Sequence, residues 1–357
     1  MSQASIEEVL TDTEFRSRES LEGVIDTKIT AFIDRQMETI KKELLSKVEK
    51  EMLLMKENLT KIIRMPPLTP VININQEDVP WVKDSSNCEE TVMPLELALV
   101  ERKTTLIEDK NIDNLLRGLK TLGEHQQYKT VKSIPLRIRD VLSLSPRSWL
   151  SGEILSVYGV ILKEMTRKRS KSGKPTIHIE DCYFMNYLLK YYEEYLSGTV
   201  DNSRAGGSRH AATVRKRLNP EILGYNPAEM LIMIPLNEND HWTLAVIDPP
   251  KAAIYILDSI HSSDVLAKLY SKQITVMQTM LPVALFGRTE ARVEKKWDWR
   301  TFCVNNVPKQ QNTFDCGVFI IAYMDLIARG RPIHFKPTLG VTKRVICRDI
   351  LTEACAM

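Results

Sequence analysis

Pro308-Lys309-Gln310-Gln311-Asn312-Thr313-Phe314-Asp315-Cys316-Gly317 runs directly into Val318-Phe319-Ile320-Ile321-Ala322-Tyr323. The first half is polar and turn-forming, and the second is apolar and continuous. That switch predicts a loop feeding a buried helix over Cys316 to Arg329, ended by Gly330, with Asp315 as its N-cap. Cys316 then sits in the first helical turn, where unpaired N–H groups and the helix dipole favour a thiolate. A lone cysteine beside Val, Phe and Ile is ordinarily core packing, so its company decides the reading. Gln310 stands six residues before it, and other partners lie upstream.

Those partners are His241 and Asp258. His241-Trp242 opens an apolar strand to Ile247, and Ala253 to Asp258 forms the next. If Asp248-Pro249-Pro250-Lys251 is a four-residue loop, Ile247 faces Ala252, and His241 falls opposite Asp258 on one face of a hairpin. A one-residue slip would separate them. His241 alone reads as a surface histidine at a strand end. With Asp258, Cys316 and Gln310 it completes the four parts of a cysteine hydrolase: thiol nucleophile, imidazole base, carboxylate orienter and amide oxyanion donor.

Outward from this core, Leu231 to Pro235 is a short run of buried-strand type, and Ser148 to Tyr158 reads as a helix after the Ser145-Pro146-Arg147 turn. Helix, strands and helix together predict an α+β domain over residues 131–357. Residues 67–130 read as a connector with some helix: Val71 to Asn75 has strand character, and helical patterning runs from Leu95 to Leu122.

Before these, Leu21, Ile25, Ile29, Ile33, Met37, Ile40, Leu44, Val48, Met52, Met55, Leu59 and Ile62 repeat at threes and fours. This is one stripe on a long amphipathic helix within residues 1–66, stopped by Pro66-Pro67. Its successive fours break a strict heptad as a stutter does. Such a stripe needs cover. Self-association or a partner helix through residues 19–65, as a coiled coil, is one reading, and folding back on its own domain is the other.

The bulk composition excludes several classes. The 357 residues are 43% apolar and 27% charged, ordinary for a soluble protein, and a net charge of +3 is too small to argue for nucleic acid. The six cysteines form no Cys-x-x-Cys pair or metal-ligand ladder, so no metal and no cofactor are expected. The N-terminus lacks a secretory pattern, and no run of 18 apolar residues suggests a membrane span. A reducing nuclear or cytoplasmic setting follows, where a thiol stays free. Two basic runs, Arg167 to Lys174 and Arg204 to Arg217, read as loops: solvated surface, or else a nuclear signal or a patch for an acidic surface.

The segments Trp149-Leu150-x-x-Glu153-Ile154, His241-Trp242 to Asp248, Tyr255-Ile256-Leu257-Asp258-Ser259 and Gln310-x-Asn312-x-x-Asp315-Cys316-Gly317 resemble the ubiquitin-like-protein-specific proteases. These are the sentrin/SUMO-specific cysteine proteases, related more distantly to the adenovirus proteinase. The resemblance covers about Val131 to Met357. It implies a papain-like superfold with a central mixed sheet and the nucleophile at a helix N-terminus. It also implies thiol peptidase or isopeptidase action after the C-terminal Gly-Gly of a ubiquitin-like modifier, SUMO foremost, in precursor maturation or deconjugation. Cys316 would be the nucleophile, His241 the base and acid, Asp258 its orienter and Gln310 part of the oxyanion hole. Trp149 and Trp242 would wall a tunnel that only glycines can thread, although each indole taken alone reads as a half-buried core aromatic. One position departs: Gly152 stands where the family usually has an aspartate that contacts the modifier, which leaves ubiquitin and other ubiquitin-like proteins open as modifiers. The same constellation would also serve an acyltransferase, and a modifier-binding scaffold built on the long helix is a third reading.

Overall fold

In the computed structural model, residues 30, 32–53, 71–79, 106–197, 208–286, 299–335 and 339–352 are described. The chain divides into two units, Met1–Met65 and Pro66–Met357. In the first, residues 32–53 form helix α1. Its stripe residues Ile33, Met37, Ile40, Leu44, Val48 and Met52 are 46–64% exposed, so no described residue of the unit buries them. The rest of the predicted helix, apart from residue 30, lies outside the described residues.

The second unit runs β1 (Val71–Asn75), α2 (Leu106–Leu119), β2 (Gln127–Val131), β3 (Ile134–Arg137), α3 (Ile138–Leu142), α4 (Gly152–Arg169) and β4 (Ile177–Ile179). It continues with α5 (Phe184–Leu196), α6 (Arg209–Leu218), α7 (Pro220–Leu223), β5 (Leu231–Glu238), β6 (His241–Asp248) and β7 (Ala253–Leu257). Then come α8 (Ser263–Leu269), α9 (Ser271–Phe286), β8 (Arg300–Asn305), α10 (Cys316–Ala328) and α11 (Leu339–Thr352). Among the described residues no helix is long and apolar enough to cross a membrane.

Six strands form one mixed sheet in the order β1-β8-β7-β6-β5-β4, and β2 pairs with β3 apart from it. β6 is antiparallel to both neighbours, while β7–β8, β8–β1 and β5–β4 are parallel. Every residue of β6 and β7 is buried, which explains their nearly unbroken apolar sequence. Trp242, Leu244 and Val246 of β6 share one core with Ile154, Tyr158 and Leu162 of α4 and Phe319 and Tyr323 of α10. Thus α10 is apolar all round because it is buried all round. The α+β architecture with a central mixed sheet and Cys316 opening a helix is the one expected.

Four expectations change. The hairpin register is Leu244↔Leu257 and Asp248↔Ala253, two residues away from the spacing argument. Pro249–Lys251 form a 3-10 turn and Ala252 adopts the left-handed conformation at φ 48°, so Ala252 belongs to the turn and cannot pair with Ile247. A shift of two preserves the face, so His241 and Asp258 stay on one side. Residues 71–75 are more than connector: β1 is the edge strand beside β8. The helix predicted from Ser148 begins only at Gly152, with the Ser151 hydroxyl accepting from Ile154 N. Of the two basic runs, 167–169 end α4 and 209–217 are helical, the latter because Ser208 caps α6 and Arg217 pairs with Glu180 and Asp181 of the β4–α5 segment.

Candidate active site

A two-residue turn sets His241. Asn239 and Asp240 both have positive φ, at 51° and 60°, and Glu238 pairs directly with His241. This is the twist a tight hairpin demands, and Asn and Asp tolerate it. His241 is therefore the first residue of a rigid central strand, 8% exposed.

Asp258 follows the last residue of β7 and is wholly buried. Its Oδ1 accepts the backbone N–H groups of Ile260 at 2.7 Å and His261 at 2.6 Å. Its Oδ2 accepts Thr243 Oγ1–H at 2.5 Å and lies 2.6 Å from His241 Nε2. Burial alone would raise the carboxyl, but His241, Thr243 and the turn amide outweigh it and hold the group well below the usual carboxylate range. An ionised Asp258 fixes the His241 tautomer with hydrogen on Nε2.

The Cys316 side chain is a second neighbour of the ring and, like Asp258, favours its charged form. Burial opposes charge on the ring, yet Asp258 and Cys316 prevail and lift His241 to about 9. Carboxylate, imidazole and thiol are thus grouped, with His241 bonded to Asp258 and neighbouring Cys316. Among the described residues Cys182, Cys303, Cys316 and Cys347 are free thiols. Burial pushes Cys182, Cys303 and Cys347 up to about 12, and a thiol in that state is a poor nucleophile.

Cys316 opens α10 and is 1% exposed. Asp315 occupies the cap position but makes no side-chain cap bond. Its carboxylate instead takes Asn312 Nδ2–H at 2.7 Å and a buried ion pair with Lys343 Nζ of α11 at 3.0 Å. Asn312 Oδ1 accepts the N–H groups of Phe314 and Asp315, each at 3.0 Å, and so builds the turn that presents Cys316. Gly317 follows because a Cβ there would lie 2.7 Å from Leu150 Cβ.

Gln310 is half-buried and tied to the Asp258 turn. Its N–H donates to Ser259 O at 2.9 Å, and Ser259 Oγ–H donates to Gln310 Oε1 at 2.6 Å. Because that hydroxyl occupies the amide oxygen, Nε2 turns the other way, where it donates to Asn312 O at 2.6 Å and keeps a second hydrogen. Lys309 laces the same two loops together, donating to Asp258 O at 2.8 Å and His261 O at 2.9 Å.

The two indoles differ. Trp242 is 9% exposed, donates to Leu150 O at 3.1 Å and borders the space beside both Gly152 and Gly317. Trp149 is 56% exposed, with its Nε1–H held by Thr313 O at 2.9 Å. That bond joins the segment before α4 to the loop before Cys316. At position 152 a Cβ would lie 2.6 Å from Cys182 Sγ, so an aspartate there would require Cys182 to move. The nearby carboxylate is Glu153, accepting from Tyr183 Oη at 2.5 Å.

His241, Asp258 and His261 bring ligand atoms within 4.8 Å of one another, a spacing that could hold a metal. The oxygens of Asp258 are nevertheless engaged by protein donors, which suits orientation of an imidazole better than coordination.

Sequence reasoning did not single out Thr243, Ser259, His261, Lys309 or Lys343. For Thr243 a signal existed, since period-2 alternation puts it on the face of His241. For Lys343 none did, because it arrives from a helix 28 residues beyond Asp315.

Residues 148–348 match the Ulp1 protease family, C-terminal catalytic domain. The chain belongs to the Ulp1 protease family. Among relatives in that family, ubiquitin-like-specific protease ESD4 of Arabidopsis thaliana is 28% identical over 197 residues, covering 54% of this chain and 35% of its own length. Sentrin-specific protease 2 of Homo sapiens is 25% identical over 260 residues, covering 66% of this chain and 39% of its own. The matched stretch thus spans little more than a third of either relative. The solved C-terminal Ulp1 protease domain, in complex with Smt3, the yeast ortholog of SUMO, shares the fold: TM-score 0.51 at 19% identity, over 71% of this chain and 98% of that one.

Proposed function

We propose that this Ulp1-family chain is a cysteine peptidase and isopeptidase acting after the C-terminal Gly-Gly of a ubiquitin-like modifier, with SUMO the favoured substrate. The observation that carries this is the 2.6 Å bond between His241 and the buried Asp258 carboxylate, with Cys316 as the ring's other neighbour. The sulfur of Cys316 attacks the glycine carbonyl. The second Nε2 hydrogen of Gln310 serves the developing oxyanion. The imidazolium of His241 gives its proton to the departing amine, and water, deprotonated by the same ring, then releases the acyl group. Asp258 keeps the ring in the required tautomer throughout.

Trp242 and Trp149 would flank the path of the tail, where glycine's lack of a Cβ lets the backbone pass. The same chemistry serves precursor maturation and deconjugation, because both break an acyl bond at one glycine. The names of the relatives support SUMO, and the close packing of Gly152 against Cys182 marks where recognition would differ.

Modifier proteins carrying a C-terminal electrophile test the reading. SUMO, ubiquitin and other ubiquitin-like probes would be offered in parallel to wild type and Cys316→Ala. Labelling by the SUMO probe, absent in the variant, is expected. Labelling by ubiquitin alone would overturn the choice of modifier, and labelling by none would overturn the reaction.

A further inference from the structure

His261 lies outside the four residues to which the motifs point, yet it is built into the same carboxylate. Its N–H donates to Asp258 Oδ1 at 2.6 Å, and its carbonyl accepts Lys309 Nζ at 2.9 Å. Its Nδ1 lies 3.4 Å from Asp258 Oδ1 and 3.5 Å from Oδ2. The ring meets the His241 ring edge-on, with centroids 4.8 Å apart and planes at 82°. With its backbone held on both sides and its side chain 26% exposed, His261 has little freedom to turn away.

His241 needs such a neighbour. The outer torsion of a histidine is broad rather than confined to sharp wells. A single bond from Nε2 to Asp258 fixes one point of the ring and leaves it able to pivot about that point. Thr243 takes the same oxygen but orients the carboxylate, not the ring. An aromatic edge at right angles supplies a contact that depends on ring plane.

We propose that His261 is a positioning residue: it sets the ring plane of His241 and, through it, the approach of the imidazole to Cys316. This rests on the reading of Cys316 as nucleophile and His241 as its base. It makes His261 neither a proton carrier nor a contact to substrate.

Alkylation of Cys316 by iodoacetamide, followed at its own peptide by mass spectrometry from acid to alkaline pH, tests this without any substrate. Wild type, His261→Ala and His261→Phe are compared. Alanine is expected to slow alkylation at pH 6 roughly 5- to 10-fold, and to leave the rate at pH 10 unchanged, where a thiol ionises without help. Phenylalanine, which keeps an aromatic edge but cannot bond Asp258, is expected to stay within about 2-fold of wild type at both pH values. An alanine profile superimposed on wild type would overturn the proposal, as would a loss equal at every pH, which marks a folding or access effect. A phenylalanine variant as slow as alanine would overturn the ring-plane role. A wild type without acid-side reactivity at Cys316 would bring down the base assignment as well. Failure of every modifier probe alongside the expected alkylation pattern would leave the proposal standing and remove only the substrate reading.

Discussion

Thr243 Oγ1 donates at 2.5 Å to Asp258 Oδ2, the same oxygen that lies 2.6 Å from His241 Nε2. The strand that carries the imidazole thus also carries the group that steadies its carboxylate. Thr243→Val keeps the shape and β-branching but removes that donor. A hydrogen bond to a charged group contributes about 1.5–3 kcal/mol, so turnover is expected to fall roughly 10- to 100-fold with little change in KM. Steady-state kinetics on a modifier substrate measures it, and unchanged kcat would show that the remaining bonds suffice to hold Asp258.

Ser259 and Gln310 make a second coupled pair. Gln310→Ala removes the amide and is expected to lower kcat on the order of 10²-fold. Ser259→Ala leaves the amide but frees it to flip, so a smaller loss, roughly 10-fold, is expected. The double variant should be no worse than Gln310→Ala alone, since the serine acts through the glutamine. Additive losses would place Ser259 elsewhere in the mechanism.

The raised His241, at about 9, has two consequences for pH. Its value in the unfolded chain is near 6.5. Its contribution to stability is therefore full below about 6.5 and is lost as pH rises through about 9. Activity that needs the imidazolium should show an alkaline limb in the same region. Asp258 has the opposite sign: its contribution is present above the ordinary carboxylate value and is lost as pH falls through its own, lower one. Profiles of kcat/KM, with chemical denaturation across the same range, test both. A flat rate between pH 8 and 10 would contradict the imidazolium assignment.

Lys343 and Asp315 pair at 3.0 Å with both side chains 4% exposed. Lys343→Met leaves a buried carboxylate without its cation, at a cost of about 3–5 kcal/mol. Lys343 also donates to Ser148 O at 2.6 Å, one residue before Trp149, so modifier labelling should weaken along with stability. Urea denaturation reads the first effect and probe labelling the second. A variant as stable as wild type would mean that Asn312 alone satisfies Asp315.

The candidate site was legible because it resides in residue types and local spacing. Cys316 after a polar turn and before an apolar run, His241 opening a buried strand and Asp258 closing the next can each be read within one element. Period-2 alternation also placed His241 and Asp258 on one face, and that placement survived a register error of two. The error itself was not legible. Whether Ala252 joins the strand or the turn depends on a backbone state that two prolines allow and the sheet selects.

The order of strands and the long-range partners belong to the tertiary structure alone. That Val71–Asn75 lines up beside Arg300–Asn305, that Lys343 reaches Asp315, that Trp149 hangs from Thr313 and that His261 meets His241 edge-on are contacts between segments distant in sequence or set by a turn's geometry. Sequence by itself determined which side chains could do the chemistry, because valence and ionisation are properties of a residue. Only the fold decided which of them meet, because packing and hydrogen-bond satisfaction are settled over the whole core at once.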